Sequence, residues 1–150
     1  KPDTLKCLTK DIRISDHGNW RHLHWNALVS AYRMSPFFEY YEEDFAPFYE
    51  KRYEFLLDFN EALREVVCQL IDIQPQIHYT TDYQPDVTAD FREIIRPKHE
   101  GYDPSFLSVP YYQVFQGKQG FIPNLSIVDL LFNMGPESLL VLQKSIQKDI

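Results

Sequence analysis

Residues 121–138, with the sequence FIPNLSIVDLLFNMGPES, decide how this chain folds. The part from Leu125 to Met134 predicts a short helix that is apolar on nearly every side, which is typical of a helix buried inside a protein. Ser126, Asp129 and Asn133 interrupt it at i, i+3 and i+7, so they form one polar stripe. Because burying a carboxylate or an amide without hydrogen bonds is costly, the stripe needs partners, either other side chains or a ligand.

The ends of this helix are marked by residues that favour helix boundaries. Asn124, after Pro123, is predicted as the N-cap. Gly135 suits a left-handed position after the last turn. Pro136 then fits the first turn of a second helix that runs to about Gln147. We therefore expect two short helices that meet in a tight corner.

Upstream of this corner, the sequence predicts four more helices. One runs from about Trp20 to Met34 with a broad apolar face. Another restarts at Pro36, and residues 44–47 resemble the start of a further helix. Asp58 and Glu61 resemble a capping box that opens an amphipathic helix.

Three segments predict short strands. They are Lys10–Ser15, Ile77–Thr80 and Tyr111–Phe115, where polar and apolar residues alternate or β-formers cluster. Residues 74–111 are otherwise rich in proline and polar residues, which indicates irregular chain or a functional loop. We therefore expect an α+β fold: a single helix-rich mixed domain over residues 1–150 with a few short strands.

Composition narrows the classes of function. The chain has 150 residues and a net charge of −7, which argues against nucleic acid or an anionic membrane as a partner. No apolar run is long enough to span a membrane, and no signal peptide is visible, although the sequence begins with Lys1 rather than Met. Two distant cysteines form no disulfide framework, so a reduced, cytoplasmic setting is expected.

Standard catalytic motifs are missing from the sequence. It contains no phosphate-binding glycine loop, no nucleophile elbow and no HExxH zinc motif. His22 and His24 point to opposite faces of their helix, so they cannot chelate one metal together. We expect no metal and no cofactor.

Two residues are candidates for proton transfer. His24 lies on the predicted apolar face, and imidazole exchanges protons near neutral pH. Asp129 lies among apolar neighbours, where burial favours a perturbed carboxyl group. Each also has a structural alternative, since a buried histidine or aspartate commonly serves only as a hydrogen-bonded core residue.

Other residues are candidates for substrate binding. Arg92 and Lys98 are basic groups in the predicted loop of an acidic protein, where they could bind an anion or form surface ion pairs. Tyr112 and Gln113 could offer a stacking face and an amide to a sugar, or could belong to an ordinary strand. Asn124, Ser126 and Asn133 are predicted to shape the same pocket.

These segments resemble the WbqC-like family of bacterial proteins, and most of all the branch found in Bacteroides and its relatives. The resemblance spans residues 12–138. It is carried by HWNALVSAYRMSPFFEYY, by DFREIIRPK, and above all by YYQVF followed by FIPNLSIVDLLFNMGPES. Family members usually begin with an additional stretch rich in proline and aromatic residues. This sequence starts without it, so the resemblance implies an N-terminally incomplete domain with exposed apolar surface where that stretch packs.

The resemblance also implies a setting, because some members are encoded among genes for O-antigen and surface-polysaccharide biosynthesis. Our first hypothesis is a transferase that moves an acyl or aminoacyl group onto a sugar or nucleotide sugar, with a nucleotide sugar or acyl donor as its small-molecule partner. The second is a non-catalytic binding or assembly protein whose partner surface includes Phe37, Phe38, Tyr40 and Tyr41. The sequence leaves the oligomeric state open, a homo-oligomer included.

Overall fold

A computed structural model describes residues 7–95, 103 and 105–147 of the chain. It contains six α-helices in this part: α1 (Trp20–Tyr32), α2 (Phe38–Glu50), α3 (Leu56–Leu70), α4 (Gln116–Gln119), α5 (Ile127–Met134) and α6 (Ser138–Ser145). Short 3₁₀ turns cover Thr9–Asp11, His17–Asn19 and Gly135–Glu137. No helix among these residues combines the length and hydropathy that a membrane span requires.

The predicted α+β class is wrong, because the described residues form an all-α fold without a β-strand. Two isolated bridges, Arg13 with Phe55 and Phe106 with Ile146, are the only ladder pairs in this part of the chain. The first bridge cannot extend because Phe55 directly precedes the first residue of α3. Residues 77–80 carry no regular structure.

The predicted strand Tyr111–Phe115 is wrong, because residues 111–113 carry no regular structure and residues 114 and 115 form a turn. Side chains rather than a neighbouring strand hold the backbone of this segment. The amide of Val114 donates to Oδ1 of Asn133 at 3.1 Å. The amide of Gln113 donates to Oε1 of Gln116 at 3.3 Å. The segment then turns into α4 at Gln116, so it does not form a sheet.

The helix predictions are largely confirmed, with shifted boundaries. α2 runs through Pro47, so the predicted helix start at residues 44–47 is wrong. α5 begins two residues later than expected, with Ser126 rather than Asn124 as its N-cap. Gly135 has the expected positive φ, at 55°. A Cβ atom there would lie 2.5 Å from the Phe37 ring, which explains why glycine occupies this corner.

The core forms where α5 meets the first two helices. Its buried residues are Phe38 and Phe45 of α2, Leu131 and Phe132 of α5, and Ile71. The Phe132 ring packs edge-on against Phe38 and Phe45, each with centroids 5.2 Å apart. The corner helix is therefore a central element of the fold, as its all-round apolar sequence predicted.

Candidate functional site

The buried carboxylate of Asp129 is the centre of a hydrogen-bond network. Asp129 lies in the first turn of α5 and is only 4% exposed. Its Oδ2 accepts hydrogen bonds from the Tyr111 hydroxyl at 2.7 Å and from Nε2 of Gln113 at 3.1 Å. Its Oδ1 accepts a longer bond from Nδ2 of Asn133 at 3.3 Å. All of these donors are neutral side chains.

Gln113 and Asn133 extend this network to the backbone of other segments. The buried Gln113 amide donates to the carbonyl of Ile122 and accepts from its amide, each at 2.9 Å. Nδ2 of Asn133 also donates to the Asp129 carbonyl at 2.7 Å. Two members of the polar stripe, Asp129 and Asn133, therefore have partners within the protein.

Tyr32 of α1 brings a second phenol to the same carboxylate. Burial, followed by the negative charge of Asp129 and a hydrogen bond to it, raises the pKa of Tyr32 to about 12. Burial and the bond to Asp129 also raise the pKa of Tyr111 well above its usual range. Both phenols therefore stay protonated at neutral pH, and the Tyr111 hydroxyl donates to Asp129.

A small cleft opens beside this network. We call it the Asp129 cleft; it has a volume of about 110 Å³, and its lining includes Ala31, Tyr32, Gln113, Val114, Leu125 and Asp129. The exposed part of the lining is mostly apolar. The cleft is well below the roughly 300–1,000 Å³ of sites that enclose drug-sized ligands.

A larger cleft lies between α1, α2 and α3. We call it the His24 cleft; it has a volume of about 330 Å³, and its lining includes Arg13, Trp20, His24, Tyr49, Phe59 and Leu63. Three of these side chains are aromatic, and Arg13 and His24 provide nitrogen donors. Mostly apolar walls with a few polar groups are typical of small-molecule sites.

His24 has room to act on a ligand in this cleft. The side chain is solvent-exposed rather than buried, and its ring packs edge-on against Trp20 with centroids 5.3 Å apart. Unlike His22, which bonds to Asn26 at 2.9 Å, His24 makes no hydrogen bond to any described residue. Within the described part of the chain, neither ring nitrogen is occupied, so both can bond to a ligand.

Arg13 stands at the same cleft but already has an anionic partner. It forms an ion pair with Glu54, and its guanidinium lies 4.9 Å from the centre of the Phe55 ring. Both charged side chains are largely exposed, and such surface pairs contribute little to stability. A ligand phosphate or carboxylate can therefore compete with Glu54 for Arg13 at small cost.

Arg92 is held by its own segment. It pairs with Asp90 at 2.5 Å and donates to the carbonyls of Gln84 and Pro85 at 3.0 and 3.1 Å. The Arg92 side chain depresses the pKa of Asp90 to about 2. Arg92 lines neither cleft, and Lys98 lies outside the described residues.

Three other predicted binding residues lie at the surface. Tyr112 is 45% exposed. Asn124 is exposed and has a positive φ of 54°. Ser126 is exposed and contributes its carbonyl, which accepts a hydrogen bond from the Asp129 amide at 2.9 Å, but no side-chain cap. The structure thus brings Gln113, Asn133 and Asp129 into one network. Tyr112, Asn124 and Ser126 lie outside it.

Sequence reasoning missed the partners that complete each cleft. The polar stripe required donors for Asp129, but no spacing pointed to Tyr32 or Tyr111. Trp20 begins the predicted helix with the broad apolar face, and it forms a cleft wall together with Tyr49 and Phe59. The high aromatic content, 15%, was the sole signal for such walls.

The proposed aromatic partner surface is reduced to one residue. Phe38 is 1% exposed and belongs to the core, while Phe37 and Tyr41 are half-buried. Tyr40 alone among these four is largely exposed, at 77%. Most of these side chains therefore serve packing.

Comparison with known proteins identifies the family. The model of the WbqC-like protein family matches residues 3–98 and 96–141, which together cover most of the chain. The chain therefore belongs to the WbqC-like protein family. No curated protein and no solved structure gives a significant match.

Proposed function

We propose that this WbqC-like protein is a cytoplasmic transferase of O-antigen or surface-polysaccharide biosynthesis, which moves an acyl or aminoacyl group onto a sugar or nucleotide sugar. The observation that carries the proposal is the His24 imidazole, which bonds to none of the described residues and lies in a 330 Å³ cleft with aromatic walls. Aromatic faces stack well with sugar rings and nucleobases. The volume falls within the range of small-molecule sites.

His24 is the better placed of the two candidate bases. Asp129 lies in the other cleft, and its oxygens already accept hydrogen bonds from Tyr111, Gln113 and Asn133. A general base needs a free lone pair within reach of the proton it takes. His24 has that freedom, whereas Asp129 is committed to holding its network.

The proposed reaction uses His24 as a general base. The imidazole takes the proton from an acceptor hydroxyl as that oxygen attacks the carbonyl carbon of an ester or thioester donor. The new ester bond forms, the bond to the leaving group breaks, and the imidazolium returns the proton to the leaving group. Arg13 would exchange Glu54 for a phosphate or carboxylate of the substrate.

The test compares two histidine variants in a host that lacks the native gene. His24→Ala should reduce glycan modification at least about 100-fold, the usual contribution of a positioned general base. His22→Ala is the matched control, since His22 lies on the same helix and lines neither cleft. Both variants are first checked for folding by circular dichroism.

The same experiment distinguishes a transferase from a non-catalytic binding or assembly protein. If His24→Ala retains full modification while deletion of the gene abolishes it, the transferase assignment of this site is wrong. A non-catalytic binding or assembly role in the same pathway would then account for the result. Thermal-shift titration with nucleotide sugars measures ligand binding directly, because a ligand at 100 times its Kd stabilises the fold by about 2.7 kcal/mol.

A further inference from the structure

The charge of Asp129 has no positive partner in the described part of the chain. None of the ion pairs among residues 7–95, 103 and 105–147 includes Asp129. Its contacts are phenol and amide groups, which donate hydrogen bonds but bring no net positive charge. Buried carboxylates in proteins are usually paired with a cation, because neutral donors offset only part of the lost hydration.

The Asp129 carboxylate borders the Asp129 cleft. Asp129 and Tyr32 both line the 110 Å³ Asp129 cleft, together with aliphatic side chains such as Ala31, Val114 and Leu125. Burial and the nearby charge of Asp129 keep the Tyr32 hydroxyl protonated at neutral pH, and the lone pairs of a phenol oxygen can accept a hydrogen bond. The cleft thus combines a negative charge, a phenol acceptor and apolar walls.

We propose that the Asp129 cleft is a binding site for a primary ammonium group carried on a short aliphatic chain. The ammonium supplies the positive charge that no described residue brings to Asp129 and donates to the Tyr32 oxygen, while its chain contacts Ala31, Val114 and Leu125. A carboxylate or phosphate is excluded by repulsion from Asp129. A nucleotide is excluded by size. The site is separate from the His24 cleft and does not depend on the proposed transferase activity.

The experiment titrates the full chain with three probes of similar size. They are propylammonium chloride, 1-propanol and sodium propionate, added at constant ionic strength and neutral pH and followed by methyl chemical shifts in NMR spectra. Propylammonium should give saturable shifts for Ala31, Val114 and Leu125. Its affinity should exceed that of 1-propanol by about tenfold or more, which corresponds to about 1.4 kcal/mol.

A substitution that fills the cleft without touching Asp129 provides the decisive variant. Ala31→Leu on α1 should weaken propylammonium binding at least about tenfold, because the added side chain occupies the cleft. Ala27→Leu is the matched control, since Ala27 is an exposed residue of the same helix. It should bind the probe as the wild type does.

A charge variant tests the other half of the proposal. Asp129→Asn, where folded, should remove the preference for propylammonium over 1-propanol. The proposal is overturned if 1-propanol or propionate binds as tightly as propylammonium, if Ala31→Leu retains wild-type affinity, or if propylammonium shows no saturable binding. None of these outcomes depends on the transferase assay.

Discussion

Asp129 shows why single residues in this protein could be recognised from the sequence while their partners could not. Its position in an apolar helix predicted burial and a need for hydrogen bonds, and both are present. Two of the donors come from the segment before α4, and Tyr32 of α1 lies beside the same carboxylate. Hydrogen bonds between residues so far apart in the chain leave no spacing signal, so only the tertiary structure identifies them.

Gly135 carries a second constraint at the scale of the residue. Its backbone has φ 55° and ψ −129°, a region that side-chain-bearing residues rarely adopt. An added Cβ would also collide with the Phe37 ring. Gly135→Ala should therefore destabilise the fold by about 2–4 kcal/mol, the sum of backbone strain and overpacking. Urea unfolding measures the loss.

A second glycine provides the control for this prediction. Gly117 lies in α4 without a positive φ, and a Cβ atom added there would meet nothing within 4 Å. Gly117→Ala should be neutral or stabilise the protein by up to about 1 kcal/mol, because alanine is the better helix former. Equal destabilisation by the two substitutions would contradict the explanation for Gly135.

At the scale of the element, the segment Tyr111–Phe115 before α4 explains why the predicted α+β class is wrong. Its alternation of side chains resembles a strand, although residues 111–113 carry no regular structure and residues 114 and 115 form a turn. However, the hydrogen bonds that a neighbouring strand would make come instead from the side chains of Asn133 and Gln116. The polar stripe of α5 thus takes part of the role of a sheet neighbour. Alternation alone cannot separate these cases, because it reports only which side is buried.

The contact of α1 with α5 predicts a loss of stability at alkaline pH. The folded state raises the pKa of Tyr32 from 10.0 to about 12, so as the pH rises the unfolded chain loses this proton first. The stabilisation is complete below about pH 10 and is lost as the pH rises through about 12. Tyr32→Phe should flatten the fall in unfolding free energy across this window.

Denaturant unfolding at a series of pH values measures this slope. Tyr40→Phe is the control, because Tyr40 is exposed on α2 and makes no bond to Asp129. It should keep the wild-type slope. If Tyr32→Phe falls as steeply as the wild type between about pH 10 and 12, Tyr32 does not contribute to alkaline instability.

At the scale of the whole molecule, Phe132 joins elements from both ends of the sequence. Its ring is fully buried and contacts Tyr32 of α1 as well as Phe38 and Phe45 of α2. Phe132→Ala should therefore lower the free energy of unfolding by about 3–5 kcal/mol, the usual loss when a buried phenylalanine is replaced by alanine. This is a large share of the total for a domain of this size. Thermal and urea unfolding by circular dichroism measure the change.

An exposed aromatic residue provides the comparison. Tyr40→Ala removes a large ring from the surface of α2 and should change stability by less than about 1 kcal/mol. A loss for Phe132→Ala no greater than that for Tyr40→Ala would show that α5 does not organise the core as the structure indicates.

The sequence by itself determined the family, most of the helices and the burial of α5, because helical periodicity and caps are local properties and the corner motif is distinctive. It also identified Asp129 and Asn133 as polar groups that need partners. Only the tertiary structure decided that the described residues form an all-α fold, that Tyr111 donates to Asp129, and that His24 lines a separate cleft with aromatic walls. These features depend on contacts between distant segments, and such contacts are set by packing rather than by local pattern.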